Sequence, residues 1–311
     1  MNDPSAPLPR TLAERLQAGR FVVTAEVAPP VSCDAQDLLR KATPLRGLAD
    51  AVNVTDGAGA RAHMSALAAA AIVLDAGIEP ILQITCRDKN RIALQSELMG
   101  AAALGIRNIL VLTGDDPKAG DQPATKPVFD IDSRTLLATA RRLRDEGTLP
   151  TGREVAGKAS FFLGAADMPI DPPPGWQPAA LRAKIEAGAQ FVQTQFCLDA
   201  GVVRRYLGVL AQADITRQLA ILIGVNPLRS AKSAQWMKNN LHGTIIPDAL
   251  VARMEKAGDP VREGIRICIE LIEELATVPG VAGVHIMAPG NDAAIPEVIA
   301  AVRERVQKAV V

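Results

Sequence analysis

Two apolar runs decide the fold of this chain: Pro80-Ile-Leu-Gln-Ile-Thr-Cys-Arg-Asp88 and Asn108-Ile-Leu-Val-Leu-Thr-Gly-Asp-Asp-Pro117. Each run is rich in Ile, Leu and Val and ends abruptly in polar residues, which is typical of a buried parallel strand. Between them, residues 91–104 repeat apolar side chains at helical spacing. Functional residues collect at the carboxyl ends of strands in a β/α barrel. The polar residues at or just past these two strand ends are Gln83, Thr85, Asp88, Thr113 and Asp115.

The same alternation of strand and helix extends in both directions along the chain. Further strands are predicted over residues 21–27, 51–54, 159–164, 191–195, 219–223 and 283–287. Helices are predicted over residues 10–19, 35–47, 62–76, 133–146, 181–187, 199–211, 230–240, 247–256, 260–277 and 295–306. This pattern predicts a single (β/α)8 TIM barrel domain over residues 1–311 with a short N-terminal helix. A doubly wound sheet is disfavoured, because Ala28-Pro-Pro30 replaces the glycine-rich turn after the first strand.

Composition and charge exclude several classes of function. The chain has 34 basic and 34 acidic residues, a formal net charge of +0 and 3% aromatic residues, which argues against a nucleic-acid surface. No apolar run is long enough to span a membrane, and the first residues lack a secretory signal. The four cysteines form no CxxC pair and are expected to be reduced thiols of a cytoplasmic protein. No histidine pair has metal-binding spacing, so no metal site is predicted.

Three side chains are candidates for chemistry at the predicted barrel mouth. Glu26 ends the first strand, where burial would raise its pKa and suit it to donate a proton; the alternative is a rim carboxylate paired with an arginine. Asp115 follows Gly114, which lets the backbone approach a ligand closely, whereas Asp116 fits an N-cap better. Gln195 ends the sixth strand with an amide that can both donate to and accept from a heterocycle. Long loops over residues 118–132 and 168–178 are candidate active-site loops.

Five blocks, in order, resemble the bacterial 5,10-methylenetetrahydrofolate reductases. They are Thr24–Pro30, Asn53–Ala58, Gln83–Asn90, Gly105–Pro117 and Lys184–Phe196, and the resemblance covers nearly the whole chain. It implies a (β/α)8 barrel that holds FAD at its carboxyl mouth. NADH or NADPH then passes hydride to the flavin, and 5,10-methylenetetrahydrofolate is reduced to 5-methyltetrahydrofolate.

The resemblance also implies roles for individual residues. Glu26 resembles the acid that opens the methylene bridge of the folate, and Asp115 the carboxylate that hydrogen-bonds the pterin near the flavin. Gln195 matches a glutamine that contacts pterin and nicotinamide, so the folate substrate is assigned to these three residues. The positions assigned to the cofactor are Thr55, Gln83, Thr113, Gly114, Asp115, Asp132 and Lys184. From its surroundings alone, Lys184 would be a solvated helix charge.

Three positions and one loop depart from the family pattern. Gln83 stands where well-studied members carry histidine, and Thr113 stands where they carry an arginine that would pair with cofactor phosphate or flavin. Residues 166–178 contain no histidine to match a flavin contact, and Ala231 replaces an aromatic that stacks on the nicotinamide.

These departures leave alternatives open. One is a flavin-independent folate reductase, and another is a non-catalytic folate-binding or electron-transfer subunit of a larger redox complex. Arg87 and Arg91 are candidates to supply the missing phosphate charge. A homo-oligomer and a redox partner subunit are both compatible with the sequence.

Overall fold

The computed structural model describes residues 11–309, with side chains described as far as Arg305. These residues contain eight strands and eleven α-helices, and at least one helical segment follows each strand. The strands are β1 Val22–Val27, β2 Ala51–Val54, β3 Pro80–Thr85, β4 Asn108–Leu112, β5 Phe162–Asp167, β6 Phe191–Phe196, β7 Ala220–Val225 and β8 Val281–Ile286. The helices are α1 Leu12–Gln17, α2 Ala35–Ala42, α3 Ala66–Asp75, α4 Arg91–Ala103, α5 Ser133–Asp145, α6 Ala179–Glu186, α7 Ala200–Gln212, α8 Ala231–Asn240, α9 Asp248–Glu255, α10 Pro260–Leu275 and α11 Ile295–Ala309.

The eight strands form one closed barrel in the order of the sequence. Every neighbouring pair is parallel, and β8 closes on β1 with Thr24 beside His285. Each strand is followed by helical sequence that covers the outer face of the barrel. The predicted (β/α)8 TIM barrel is therefore confirmed, and all eight strands point their carboxyl ends at the same rim.

Several helices begin where the sequence supplies a side-chain acceptor for the free amides of the first turn. Asp34, Asn90, Asp132 and Asp199 cap α2, α4, α5 and α7 respectively, each accepting a hydrogen bond from a backbone N–H two or three residues later. These caps fix the point at which the chain turns from the barrel rim into each covering helix.

Most predicted bounds agree with the structure to within two or three residues. Three differ in an instructive way. The helix predicted over residues 35–47 ends at Ala42, because Pro44 has no N–H to continue the hydrogen-bond ladder and Thr43–Leu45 forms a short 3₁₀ turn. The helix predicted from residue 62 begins at Ala66, after an extended segment. The fifth strand, predicted over residues 159–164, runs from Phe162 to Asp167.

The amino-terminal end of the barrel is closed by apolar side chains. Leu12 of α1 is fully buried against the layer formed by Val22, Ala51, Ile81, Leu110, Phe162, Phe191 and Leu222. The helix is fixed by its backbone, since the Leu12 N–H donates to the Glu79 carboxylate at 3.0 Å. Burial and the Asn108 side chain act in opposite directions on Glu79, with burial the larger effect, and its pKa is raised. The functional rim is at the other end.

Across residues 11–309, no helix is both long and apolar enough to cross a membrane.

Candidate active site

Polar residues in the barrel interior repeat every second position near the carboxyl ends of the strands. Because successive strand residues face opposite sides, residues two apart share the interior face. The pairs are Thr24 and Glu26 on β1, Asn53 on β2 with Thr55 just beyond it, Gln83 and Thr85 on β3, and Gln193 and Gln195 on β6. Glu26 and Gln195 lie at this rim, and Asp115 follows the end of β4 there. The structure thus brings the three predicted residues to one end of the barrel.

A hydrogen-bonded network crosses the interior just below the rim. The side chains of Asn53 and Gln193 exchange two hydrogen bonds, of 2.5 and 3.0 Å. Gln193 Nε2 also donates to Thr24 Oγ1 at 3.1 Å, and Thr24 Oγ1 lies 3.0 Å from His285 Nδ1. All four residues are buried. Low dielectric strengthens such a network when each member has a partner, so these side chains are held in fixed orientations.

Glu26 lies beside His285, the last residue of this network. One carboxylate oxygen lies 3.7 Å from His285 Nε2, while Thr24 holds the other ring nitrogen. The Glu26 side chain is 23% exposed, so it is half-buried and reachable from the mouth. Glu26 lies at the end of β1 as predicted, and its side chain neighbours a histidine ring and not the arginine considered from the sequence. His285 is buried in β8, and the sequence analysis assigned it no role at the mouth.

Of the residues that follow β4, Asp116 and Gly114 maintain the loop conformation, whereas Asp115 is accessible to a ligand. Asp116 caps a 3₁₀ turn by accepting from Lys118 N at 2.9 Å, which confirms the N-cap interpretation. Asp115 is exposed at the mouth. Gly114 has φ +95, and a Cβ there would lie 2.9 Å from the Arg87 Cβ and 3.1 Å from the Thr85 Cβ. The glycine is therefore required by this packing between two loops, a reason not anticipated from the sequence.

Gln195 is positioned by backbone contacts at the end of β6. Its Oε1 accepts a hydrogen bond from the Phe196 N–H at 3.0 Å, and its Nε2 lies 3.4 Å from the His242 carbonyl. The side chain is only partly buried. The weak contact to His242 leaves the amide able to bond a heterocycle at the mouth instead.

A cavity of about 120 Å³ lies beside the mouth, between the ends of β4 and β5 and the start of α5. Its polar lining is Thr113, Ser133, Arg134 and Lys184. Two cations and a helix N-terminus face this space, an arrangement that favours an anionic group. The sequence-predicted Asp132 is the N-cap of α5, and its pKa is lowered chiefly by hydrogen bonding to Thr135.

Lys184 is not the solvated charge that its neighbours in sequence indicate. Its Nζ donates to the Ala166 carbonyl at 2.6 Å and to Asp167 Oδ1 at 3.1 Å. Asp167 also accepts a hydrogen bond from the buried Tyr206 hydroxyl, and the pKa of Tyr206 is raised by burial and by this carboxylate. The lysine is thereby held at the cavity wall. One of its three N–H donors remains for a ligand.

The ends of β2 and β3 carry buried polar groups that lack protein partners. Thr55 Oγ1 and Arg87 Nη1 are buried without a hydrogen bond. The side chain of Gln83 is 7% exposed and makes no hydrogen bond to any residue that the structure describes. Most buried polar groups in proteins are satisfied, so this side of the mouth has the chemistry of a ligand-binding surface.

The remaining predictions for this region have mixed outcomes. Arg91 pairs with Asp130 at 2.8 Å on the surface and does not reach the cavity lining, whereas Arg87 is almost fully buried. Ala231 begins α8 and packs against the core. All four cysteines are free, and no cluster of metal-ligating side chains is present among residues 11–305.

Comparison with known proteins identifies the family to which this chain belongs. The family described as Methylenetetrahydrofolate reductase matches residues 11–303. A probable methylenetetrahydrofolate reductase (NADPH) of Caenorhabditis elegans is 27% identical over 74% of this chain and 33% of its own length. Methylenetetrahydrofolate reductase 2 of Schizosaccharomyces pombe is 26% identical over 67% of this chain and 32% of its own. The chain thus spans about a third of the length of these curated relatives.

Among solved structures, an uncharacterized Clostridium thermocellum protein that binds two copies of 5-methyl-5,6,7,8-tetrahydrofolic acid superposes with a TM-score of 0.64. It is 13% identical, and the match covers 94% of this chain and 98% of that one, which shows a shared fold. The family match over nearly the whole described barrel is the decisive comparison, and this chain belongs to the methylenetetrahydrofolate reductase family.

Proposed function

We propose that this protein reduces 5,10-methylenetetrahydrofolate to 5-methyltetrahydrofolate, with FAD as cofactor and NADH or NADPH as electron donor. The observation that carries the proposal is the contact between Glu26 and His285 at the barrel mouth, backed by a buried network that fixes the histidine. Ring opening of the folate needs a proton at a bridging nitrogen, and a half-buried carboxyl beside an imidazole is suited to deliver one. Membership of the family supports the same substrate.

The residues present fit a flavin. Thr55 offers a buried hydroxyl without a partner, and the cavity beside α5 presents Ser133, Arg134 and Lys184 to an anionic group. Thr55, Gln83 and Thr113 would contact the ribityl chain and the edge of the ring, and Lys184 and Arg134 would bind the phosphates. Bound FAD would supply an N5 position that accepts a hydride from the nicotinamide and returns it to the folate.

The chain's own residues account for binding and proton transfer. Asp115 is exposed at the rim and would accept N–H donors of the pterin, and the Gln195 amide would also hydrogen-bond that ring. Glu26 would give its proton to the folate nitrogen, so that the carbon–nitrogen bond opens to an iminium ion. The incoming hydride then converts that carbon to a methyl group. His285, held by Thr24, would stabilise the carboxylate that Glu26 becomes.

Separate measurement of the two half-reactions tests the proposal. Glu26→Gln keeps the side-chain volume and removes the proton, so flavin reduction by NADH should be unchanged. Reoxidation of the reduced flavin by methylenetetrahydrofolate should fall about 10²–10⁴-fold, as for loss of a general acid. Equal effects on both half-reactions would contradict the assignment, and Glu304→Gln on the exposed surface of α11 is a matched control.

A second candidate is direct hydride transfer from nicotinamide to folate without flavin. Two observations favour it: Thr113 offers no cation, and Lys184 is already engaged with Asp167. Turnover by protein that has been stripped of flavin, and shown by absorbance to contain none, would favour this candidate over the first.

A further inference from the structure

Arg87 is a buried arginine at the carboxyl end of β3 with an incomplete set of partners. Its side chain is 4% exposed. Nε and Nη2 donate to the two carboxylate oxygens of Asp88 at 2.9 and 2.7 Å, and Nη2 also donates to the Gly57 carbonyl at 3.2 Å. Nη1 is buried and has no partner. A charged donor left unsatisfied costs free energy comparable to a lost hydrogen bond, so a ligand acceptor at Nη1 would remove a real penalty.

The surrounding loops are shaped around this guanidinium. A Cβ at Gly57 would lie 2.3 Å from Arg87 Nη2, and a Cβ at Gly114 would lie 2.9 Å from the Arg87 Cβ. Both glycines have positive φ, of +61 and +95. The Val128 N–H also donates to the Arg87 carbonyl at 2.7 Å, which ties the long loop after β4 to the same residue. Two loops of the mouth, those after β2 and β4, therefore pack against Arg87, and its side chain has little freedom to move.

The local charge decides what kind of acceptor would suit Nη1. Hydrogen bonding to Asp88, followed by the charges of Asp88, Asp56 and Asp115, raises the pKa of Arg87. Lys89 lies between Asp56 and Glu97, at 2.9 and 2.7 Å. The group thus contains four carboxylates and two cations, for a formal charge of −2. A phosphate would be repelled by this excess of negative charge, whereas a neutral carbonyl oxygen would not.

We propose that Arg87 binds a ring carbonyl of the flavin isoalloxazine through Nη1. The inference rests on the proposed function, since Thr55 and Gln83 on the same side of the mouth are the positions assigned to the flavin. It differs from the expectation that Arg87 supplies charge to the cofactor phosphate. Arg87 thereby becomes a residue that binds the ring of the cofactor and not its diphosphate. This contact compensates for the histidine and the arginine of the family that are replaced by Gln83 and Thr113.

The test compares flavin affinities, measured by quenching of flavin fluorescence, for four ligands of decreasing length: FAD, FMN, riboflavin and lumiflavin. Wild-type protein that binds none of them would refute the flavin part of the proposed function itself. If it binds them, Arg87→Met should weaken all four by the same factor, about 10–100-fold for a lost charged hydrogen bond. Arg91→Met, which removes an exposed arginine paired with Asp130, should leave all four affinities unchanged.

Two other patterns would overturn the assignment. A loss confined to FAD and FMN would indicate a phosphate contact, and a loss that disappears only with lumiflavin would indicate the ribityl chain. A measurement on the wild-type protein guards against misfolding of the variant. Riboflavin with sulfur in place of the C2 or the C4 oxygen is a poor hydrogen-bond acceptor, so one of the two analogues should bind about tenfold more weakly than riboflavin. Equal binding of riboflavin and both analogues would refute the proposal.

Discussion

Replacement of Thr24 by valine tests the network that supports Glu26. Valine has the shape of threonine, so the change removes a hydroxyl and leaves packing intact. Among the described residues, His285 Nδ1 then loses its one hydrogen-bond partner and the Val284 carbonyl loses a bond of 3.3 Å, whereas Gln193 Nε2 keeps its bond to Asn53 at 3.0 Å. An unsatisfied buried ring nitrogen costs ~1–3 kcal/mol, and the weaker loss at Gln193 adds ~1 kcal/mol. We therefore expect the free energy of unfolding to fall by about 2–4 kcal/mol.

The assay is equilibrium urea unfolding, combined with the two half-reactions measured by stopped flow. The released His285 ring is no longer fixed beside Glu26, so reoxidation of the flavin by folate should slow by about tenfold or more, a part of the effect of a positioned general acid. Flavin reduction should be unchanged. Thr24→Ser keeps the hydroxyl and should restore both properties. A valine variant as stable as the wild type, or a serine variant equally impaired, would refute the reasoning.

Three further predictions address the rest of the barrel. Asp50→Ala should lower the free energy of unfolding by about 3–5 kcal/mol, because the buried carboxylate pairs with two arginines and accepts a backbone N–H, and urea unfolding measures the loss. Gly164→Ala should cost about 1–3 kcal/mol, because its Cβ would lie 2.3 Å from the Phe191 ring; a melting temperature equal to that of the wild type would contradict this. At pH 8, iodoacetamide should alkylate Cys33 alone, because burial raises the pKa of the other three thiols, and mass spectrometry of the native protein counts the adducts.

The sequence predicts the barrel well because its strands are short apolar runs with clear ends. The exception is the start of β5, where the apolar run from Ala159 to Leu163 is buried apart from Ser160, so periodicity does not mark the boundary. The strand begins at Phe162 because that residue pairs with Asn108 and places Gly164 beside Phe191. Such pairing depends on neighbours distant in sequence and is invisible in the run itself.

In the site as well, the positions of residues follow from the local sequence, whereas the contacts between them do not. The rim positions of Glu26 and Gln195 follow from where their strands end. The contact between Glu26 and His285 cannot be predicted in this way, because His285 lies at the end of β8 and is next to β1 only in the closed barrel. One signal was present in the sequence: polar residues two apart at strand ends, such as Thr24 with Glu26 and Gln193 with Gln195, indicate that both members face the interior.

The two ends of the barrel interior serve opposite physical needs. At the amino-terminal end, Phe162 stacks on Phe191 at 5.0 Å and Leu12 seals the layer, so apolar burial closes the barrel. Near the mouth, the polar layer around Gln193 adds little net stability, because each of its hydrogen bonds replaces one to water. The layer instead fixes the orientation of its side chains. Loss of any one partner leaves a buried polar group without a hydrogen bond, at a free-energy cost like that calculated above for Thr24→Val. A substitution in the apolar layer should therefore lower the free energy of unfolding and leave the rate of the folate half-reaction unchanged. A substitution in the polar layer should lower both the free energy of unfolding and that rate.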